Sequence, residues 1–227
     1  MKILKFVLSA PLQSWGEDAR WDQRTTAAMP SKSGIIGLLG CCLGVPRGHE
    51  RLNQLDEGLK MAVRVDRPGS LMTDFHTVQG SGGVLFAANG KPRGNGSTII
   101  TPKQYLQDAR FTVFLWGDES LLDDCFHALL HPKWPVYLGR KSCVPSVPLI
   151  PHWVQADSPE EAVSVFTEEE SIRSVHKIRV EMDASSSDHL SSGQRISVRR
   201  DKLIRADQNE YGSRRIKSYV FSRGGEE

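Results

Sequence analysis

Dense apolar runs, each closed by a proline or a turn, divide the first two thirds of the chain into short elements. Residues 3–8 (ILKFVL) and 111–116 (FTVFLW) are mostly apolar and β-prone, which is typical of strands buried on both faces of a sheet. Apolar and polar positions alternate in 59–67 and in 70–78, and the Pro-Gly pair between them predicts a turn. We therefore expect a β-hairpin there, and a further short strand at 135–138.

Two segments have the spacing of helices. Residues 31–44 (SKSGIIGLLGCCLG) carry no charge after Lys32, so we expect a buried helix that begins at Ser31 or Ser33. Apolar side chains recur three and four residues apart between 119 and 131, after which a proline ends the second helix. The order is βαββ, insertion, βαβ. With one hairpin strand counted as shared or extended, it is close to the βαββαβ order of a ferredoxin-like (RRM-like) α+β fold.

The first helix has a glycine side that comprises Gly37, Gly40 and Gly44, with Gly34 at its margin. Glycine inside a helix is less favourable than alanine by roughly 1 kcal/mol, so this side should admit a close neighbour. Two interpretations are open: tight packing of a capped core helix, or the approach of a nucleic acid. At the start of the same helix, the first-turn amides with Ser31, Lys32 and Ser33 could hold a phosphate.

The middle and the end of the chain depart from this pattern. Residues 79–97 contain six glycines, and we interpret 79–102 as an insertion that forms a mobile hairpin. The last third is first acidic and then basic, with nine Lys or Arg against three Asp or Glu over 195–223. Short β-prone pieces there predict a small β-rich subdomain over 151–227, beside a main domain over 1–150.

Composition excludes several classes of protein. The formal net charge of +2 is too small to establish a polyanionic partner by itself. The four cysteines form no CxxC pair, and two of them are adjacent on the apolar helix, which is typical of reduced core thiols. No stretch reaches the roughly 18 apolar residues of a membrane span. We therefore expect a cytoplasmic protein without disulfides or a membrane segment.

Few motifs of catalysis are present. The chain has no Walker loop, GxSxG elbow, paired-carboxylate motif or dinucleotide fingerprint. His127 and His131 have zinc-compatible spacing but no second pair of ligands. His76 could act as a general base in metal-free RNA cleavage if a lysine or tyrosine lay opposite. We expect no catalytic residue, no cofactor and no metal.

Basic residues recur instead on loops that also carry glycine or aromatic residues. Charge for phosphates and rings for unstacked bases are how proteins hold single-stranded RNA. Together with His76, the candidate RNA-binding residues are Arg20, Trp21, Arg24, Ser31, Lys32, Ser33, Gly34, Lys91, Arg93, Gly139, Arg140 and Lys141.

Three segments together carry a family resemblance: 11–16 (PLQSWG), 30–40 (PSKSGIIGLLG) and 137–143 (YLGRKSC). They resemble Cas family five of the RAMP superfamily, in the branch that serves the bacterial CRISPR Cascade complex of subtype I-E. The pieces 74–78 (DFHTV) and 105–109 (YLQDA) follow in the expected order, so the resemblance covers roughly residues 1–155.

The resemblance implies a ferredoxin-like palm with an inserted thumb, and a non-catalytic subunit that caps the 5′ handle of the guide RNA in an antiviral complex. The implied partners are the guide RNA, backbone subunits of the CasC type and a large subunit of the CasA type. Target DNA would be reached indirectly, by base pairing within the complex.

Two alternatives stay open. The first is a metal-independent endoribonuclease of the same family that processes CRISPR repeat RNA, with His76, or His176 with Lys177, as the residues to suspect. The second is a small cytosolic enzyme whose 31–34 turn binds a phosphorylated metabolite, although the missing partner motifs argue against it.

Overall fold

The structure is a computed structural model that describes residues 1–16, 24–80, 84–86, 90–93, 98–165, 167, 176–185 and 190–222, without the side chain of Arg93. It is a mixed α+β protein. In chain order its elements are β1 Lys2–Ser9, β2 Leu12–Gln13, α1 Lys32–Leu43, α2 Arg51–Gly58, β3 Leu59–Arg67, β4 Ser70–Val78, β5 Leu85–Phe86, β6 Pro92–Arg93, β7 Ile99–Gln107, β8 Arg110–Gly117, α3 Glu119–Leu130, β9 His152–Gln155, α4 Pro159–Ser164, β10 Lys177–Asp183, β11 Arg195–Arg205 and β12 Glu210–Ser222. Over the described ranges, no helix combines the length and apolarity that crossing a bilayer would need.

Seven strands form one large antiparallel sheet, the main sheet, in the order β11-β12-β10-β3-β8-β1-β9. The two dense apolar runs became the neighbouring strands β1 and β8. Phe6 of β1 lies opposite Val113 of β8, which lies opposite Val63 of β3, and all three side chains are buried. These strands have neighbours on both edges and are covered on both faces, which explains their nearly continuous apolar sequence.

Helices cover one face of the main sheet and part of the other. Helices α1, α2 and α3 pack on the face that carries Leu4 and Leu115, whereas α4 packs on the face that carries Ile3 and Phe114. Successive residues of a strand point to opposite faces, so each face has its own apolar core. Burial of one such Leu or Phe side chain contributes about 1.5–3 kcal/mol, and the face under α1 holds the larger set.

The predicted hairpin of 59–67 with 70–78 is wrong, although both strands have the expected bounds. Strand β3 pairs with β8 and β10 in the main sheet, whereas β4 pairs with β7 in a second sheet of order β2-β7-β4. Two charged residues inside β3 are also buried: Arg64 and Asp66 are fully enclosed, with Arg64 Nε 2.7 Å from Asp66 Oδ1. Strand β3 is therefore central, and the chain leaves the main sheet at Gly69, whose φ is +71°.

The glycine-rich insertion is the end of a longer hairpin. Strands β4 and β7 pair throughout, from Ser70 opposite Gln107 to Val78 opposite Ile99, and β5 pairs with β6 between them. Pro102 within β7 obscured this strand in the sequence, because proline has no N–H to donate to a ladder. We call the β4–β7 pair the long hairpin.

The strands of the last third, where the sequence predicts a small β-rich subdomain over 151–227, continue the main sheet. Strand β10 pairs with β3, and β12 and β11 follow outward. Ile178 and Val180 of β10 are buried in the same core as Phe114 of β8. A shared ladder and a shared core therefore join this region to residues 1–150.

One local prediction also needs correction, and one helix was missed. Residues 135–138 are a loop and not a strand: the Ser14 N–H donates to the Leu138 carbonyl (3.1 Å), and the Leu138 N–H donates to the Cys143 carbonyl (2.7 Å). Leu138 bonds to its own loop and to the segment after β2, so it cannot join a sheet ladder. The short helix α2 was not expected, because its eight residues contain only two leucines to mark a helical period.

Candidate nucleic-acid interface

Helix α1 has an N-cap at one of the two serines that its sequence predicts, and Gly44, assigned from the sequence to the glycine side, is its C-cap. The Gly34 N–H donates to Ser31 Oγ at 3.2 Å, so Ser31 is the N-cap, and Gly44 ends the helix with φ at +70°. A serine at this position accepts from an amide that the helix itself leaves without a partner. The start of α1 is therefore fixed in place.

The glycines of α1 divide into two kinds. A Cβ on Gly34 would lie 2.9 Å from the Trp15 ring, and one on Gly40 would lie 2.6 Å from Leu52 Cδ2, so these two glycines permit tight packing. A Cβ on Gly37 would meet nothing within 4 Å. Packing thus explains Gly34 and Gly40, whereas Gly37 faces open space.

Lys32 does not lie where the phosphate hypothesis requires it. Its side chain is buried, and its Nζ donates to the Asp56 carbonyl at 2.8 Å and lies 3.7 Å from Asp183 Oδ2. Its backbone N–H donates to Asp201 Oδ2 at 2.8 Å. A carboxylate at a helix N-terminus is favoured by the helix dipole, as a phosphate would be. The protein's own aspartates therefore occupy the predicted anion position.

Arg214 completes this buried network. It bonds Asp201 through Nε (2.9 Å) and Nη2 (2.7 Å), and Asp183 through Nη1 (2.6 Å). Burial by itself raises the pKa of Asp201, but hydrogen bonds and charge from Arg214 outweigh burial and lower that pKa below its ordinary value. Burial raises the pKa of Asp56, with the Lys32 ammonium opposing the rise. The network ties α1 to β10, β11 and β12.

A cleft of about 810 Å³ opens along the side of α1 that carries Gly37. Its walls come from stretches far apart in sequence: 14–16, 24–25, 31–41, 45–52, 134–141 and 203–211. Three of these stretches overlap the segments that carry the family resemblance. The fold thus gathers those segments at one site.

Cations are the charged residues in the described lining of this cleft. Its described lining residues include Arg24, Arg47, Arg140 and Lys141, and none of them is Asp or Glu. Arg47 and Lys141 are exposed and form no ion pair within the part of the chain that the structure describes. Walls with one sign of charge concentrate the field inside a cleft, so the described lining favours an anionic ligand.

Arg140 gives the rim of the cleft a positive charge and also holds the rim in place through hydrogen bonds. Its Nη1 donates to the Gln104 carbonyl and its Nη2 to the Arg24 carbonyl, both at 2.8 Å, and its guanidinium lies 4.6 Å from the centre of the Tyr105 ring. The preceding Gly139 has φ at +94°, and a Cβ there would be 1.6 Å from the Ser14 carbonyl oxygen. The loop can therefore approach β2 only with glycine at this position.

Aromatic side chains give the cleft its second property. Trp134 is 44% exposed, and Tyr137 and Tyr211 are half-buried on the walls. Such rings accept stacked bases whatever their sequence. Sequence reasoning missed Arg47, Trp134 and Tyr211. Trp134 had one usable signal, its place just before the YLGRKSC segment, whereas the other two lie in stretches without a motif.

The predicted RNA-binding residues fall into three groups. Those on the cleft walls are Arg24, Ser31, Ser33, Gly34, Gly139, Arg140 and Lys141. Those elsewhere are Lys32, whose side chain is buried at the start of α1, His76 on the long hairpin, and Lys91, which is exposed beside β6. Arg20, Trp21 and the side chain of Arg93 lie outside the described residues.

His76 has a charged neighbour on each side. Its Nε2 is 2.7 Å from Asp74 Oδ2, and its Nδ1 is 3.2 Å from Lys103 Nζ. Asp74 lies directly opposite Lys103 in the ladder, and His76 follows two residues along the same face. Such a cluster can bind an anion or move a proton. Within the described ranges, no three His, Cys, Asp or Glu side chains are arranged to hold a metal ion.

Known proteins are similar to this chain in sequence and in fold. A family model described as CRISPR-associated protein (Cas_Cas5) matches residues 3–217, a range that includes every wall of the cleft. The CRISPR system Cascade subunit CasD of Escherichia coli (strain K12) is 37% identical over 170 residues, which cover 69% of this chain and 73% of that relative.

Two solved structures match almost the whole chain. A chain of a CRISPR RNA-guided surveillance complex has a TM-score of 0.75 and 29% identity, covering 97% of this chain and 90% of its own. A second, described as a crystal structure of a Cas protein, has a TM-score of 0.64 and 27% identity, covering 97% and 95%.

Proposed function

The chain belongs to the Cas5 family of CRISPR-associated proteins, and we propose that it is a non-catalytic subunit of a Cascade surveillance complex that binds the 5′ handle of the guide RNA. The relative named as a Cascade subunit and the similar chain from an RNA-guided complex support the assembly. The guide RNA itself supplies recognition of DNA by base pairing, and this subunit holds one end of the guide.

One observation carries the RNA-binding part of the proposal. The family-like segments meet at a cleft whose described lining has four Lys or Arg, one exposed and two half-buried aromatic rings, and no acid. Gly37 leaves the cleft floor open, so a flat ligand can approach the backbone of α1. Phosphates would meet Arg47 and Lys141, while unstacked bases would meet Trp134 and Tyr211.

The topology supports a ferredoxin-like palm within the main sheet. Strands β3, β8, β1 and β9 are adjacent in that order, and α1 and α3 follow β1 and β8 along the chain. Numbered by their place in the chain, these strands have the order 2-3-1-4, which is the arrangement of a ferredoxin-like βαββαβ sheet. The long hairpin would then be the thumb.

The partners follow from the assembly. In this proposal the subunit lies in the cytoplasm and contacts backbone subunits of the CasC type and a large subunit of the CasA type. Target DNA is reached through the guide RNA. The outward face of the long hairpin supports a protein contact, because Leu71, Phe75 and Ile100 are exposed together there.

A second function has one specific observation in its favour. Lys103 lies opposite the strand that holds His76, within 3.2 Å of its Nδ1, which is the arrangement that metal-independent RNA cleavage would need. The other pair suspected from the sequence, His176 and Lys177, is exposed at the start of β10, away from the cleft. Repeat RNA incubated with the full chain in EDTA separates the two functions: binding without cleavage supports the cap, and cleavage that His76→Ala removes supports the nuclease.

The cleft is tested by the salt dependence of RNA binding. We expect Arg47→Ala and Lys141→Ala each to weaken binding of single-stranded CRISPR-repeat RNA and to reduce the slope of log Kd against log salt by about 0.7. Fluorescence anisotropy of labelled RNA over a KCl series measures both quantities.

Matched controls lie on the far face of the main sheet. Lys60 is opposite Trp116 on the α4 face, and Arg215 points away from the buried Arg214. Alanine at either control position should leave the slope unchanged. Equal slope changes in the cleft variants and the controls would show that the cleft does not bind the RNA. Wild-type protein that fails to bind RNA would refute the proposed function.

A further inference from the structure

One face of the long hairpin carries Asp74, His76, Lys103 and Tyr105. This face lies next to the rim of the cleft. Arg140 lies at the rim of the cleft and donates to the Gln104 carbonyl of β7 at 2.8 Å. Its guanidinium is 4.6 Å from the centre of the Tyr105 ring, also on β7. The cationic wall of the cleft is therefore in direct contact with the hairpin.

Lys103 is the next cation along that face. Tyr105 and Lys103 are two residues apart in β7, so their side chains share a face and lie about 7 Å apart along the strand. The backbone of Arg24, another cleft residue, forms a parallel bridge with Lys103. A chain of phosphates that leaves the cleft at Arg140 thus meets Lys103 one step further on.

The ammonium of Lys103 is held in position and still has donors to offer. Its Nζ is 3.2 Å from His76 Nδ1, and His76 Nε2 is in turn 2.7 Å from Asp74 Oδ2. An ammonium has three N–H donors, and within the described part of the chain His76 is the one partner of Nζ. Both ring nitrogens of His76 face these neighbours, whereas Lys103 is half-buried, so a phosphate oxygen can reach the ammonium and not the ring.

The opposite face of the hairpin cannot serve the same purpose. Leu71 and Phe75 of β4 share that face with Ile100 of β7, and all three are more than half exposed. The polar residues of that face, Thr73, Thr77 and Gln104, are uncharged, so it has no cation to attract a phosphate. An RNA strand that follows the hairpin is therefore directed to the Lys103 face.

We propose that Lys103, positioned by His76 and Asp74, forms a second phosphate subsite that continues the cleft along the long hairpin. The inference rests on the proposed function and extends its binding surface beyond the residues that line the cleft. It assigns the Asp74–His76–Lys103 cluster to binding of the RNA backbone, which is independent of base sequence.

The test compares Lys103→Ala, Lys103→Arg and Lys60→Ala in the full chain, with fluorescent single-stranded CRISPR-repeat RNA as the probe. We expect Lys103→Ala to reduce the salt slope of log Kd by about 0.7, equally for repeat RNA and for oligouridine. Lys103→Arg keeps the charge and should restore the slope, while Lys60→Ala should leave it unchanged. Equal thermal unfolding of the variants shows that the fold is intact.

A length series then locates the contact. RNAs shortened from either end should reach a length at which Lys103→Ala no longer alters binding while Arg47→Ala still does, because the shorter RNA fills only the cleft. An effect of Arg47→Ala with none of Lys103→Ala at any length would overturn this inference and leave the proposed function standing. An effect of neither variant would overturn both.

Discussion

Substitution of Gly37 separates the stability of α1 from the binding of RNA. A Cβ at this position meets no atom within 4 Å, so Gly37→Ala introduces no clash. Alanine is favoured over glycine in a helix interior by about 1 kcal/mol. For a domain of 150–250 residues that gain corresponds to an increase in Tm of roughly 2–4 °C. We therefore expect a more stable protein.

A side chain introduced at position 37 lies on the floor of the cleft. Gly37→Gln keeps a good helix former without adding charge, and its longer side chain enters the space in which RNA would approach the helix. We expect Gly37→Gln to weaken RNA binding at least tenfold while its Tm stays at or above that of the wild type. Differential scanning calorimetry and anisotropy titrations with repeat RNA measure the two effects.

Gly40→Ala is the matched control. Its Cβ would lie 2.6 Å from Leu52 Cδ2, so the helix gain is offset by a displaced side chain, and the site is away from the open floor. A decrease in Tm for Gly37→Ala would show that the cleft is closed in solution. Unchanged RNA affinity for Gly37→Gln would show that RNA does not approach α1, which would refute the reasoning about the cleft.

Two further predictions concern the buried network. Lys32→Met leaves buried aspartates without their ammonium, so we expect a loss of about 3–5 kcal/mol in urea unfolding, with Lys60→Met close to wild type. A stable Lys32→Met protein with a reduced RNA salt slope would contradict the buried role. The lowered pKa of Asp201 means that its stabilisation is present above its ordinary value near 3.9 and is lost as pH falls through its folded value. The difference in unfolding free energy between wild type and Asp201→Asn should therefore be largest at neutral pH and shrink below about pH 4, and a constant difference would refute the assignment.

Local sequence patterns predicted where the strands lie better than they predicted which strands pair with each other. The apolar runs at 3–8 and 111–116 became β1 and β8 with nearly the expected bounds, because a dense β-prone run reports burial at its own positions. The partner of a strand is a non-local property. A Pro-Gly turn between 59–67 and 70–78 is compatible with a hairpin and equally with a chain that passes from one sheet to another, and nothing in those residues distinguishes the two.

The same limit applies to the candidate site. Arg140 follows a glycine and Lys32 stands between two serines, and both lie in family-like segments. Yet Arg140 lines the cleft, whereas Lys32 is buried. The difference depends on Asp56, Asp183 and Asp201, which belong to other elements. Arg47 was missed for the converse reason, since it lies in an ordinary loop that becomes a wall only when α2 and the β11–β12 turn fold beside it.

The bond between the start of α1 and Asp201 has a consequence for the order in which the protein is made. The two partners are 169 residues apart in the chain, and a polypeptide leaves the ribosome from its N-terminus. A nascent chain that has emerged as far as β8 contains α1. Asp201, whose carboxylate accepts the hydrogen bond from the Lys32 N–H, has not yet been synthesised. The cleft wall at 203–211 also arrives late. The cleft is therefore complete only after residues 203–211 have been synthesised, and the proposed binding of RNA there would have to follow translation of nearly the whole chain.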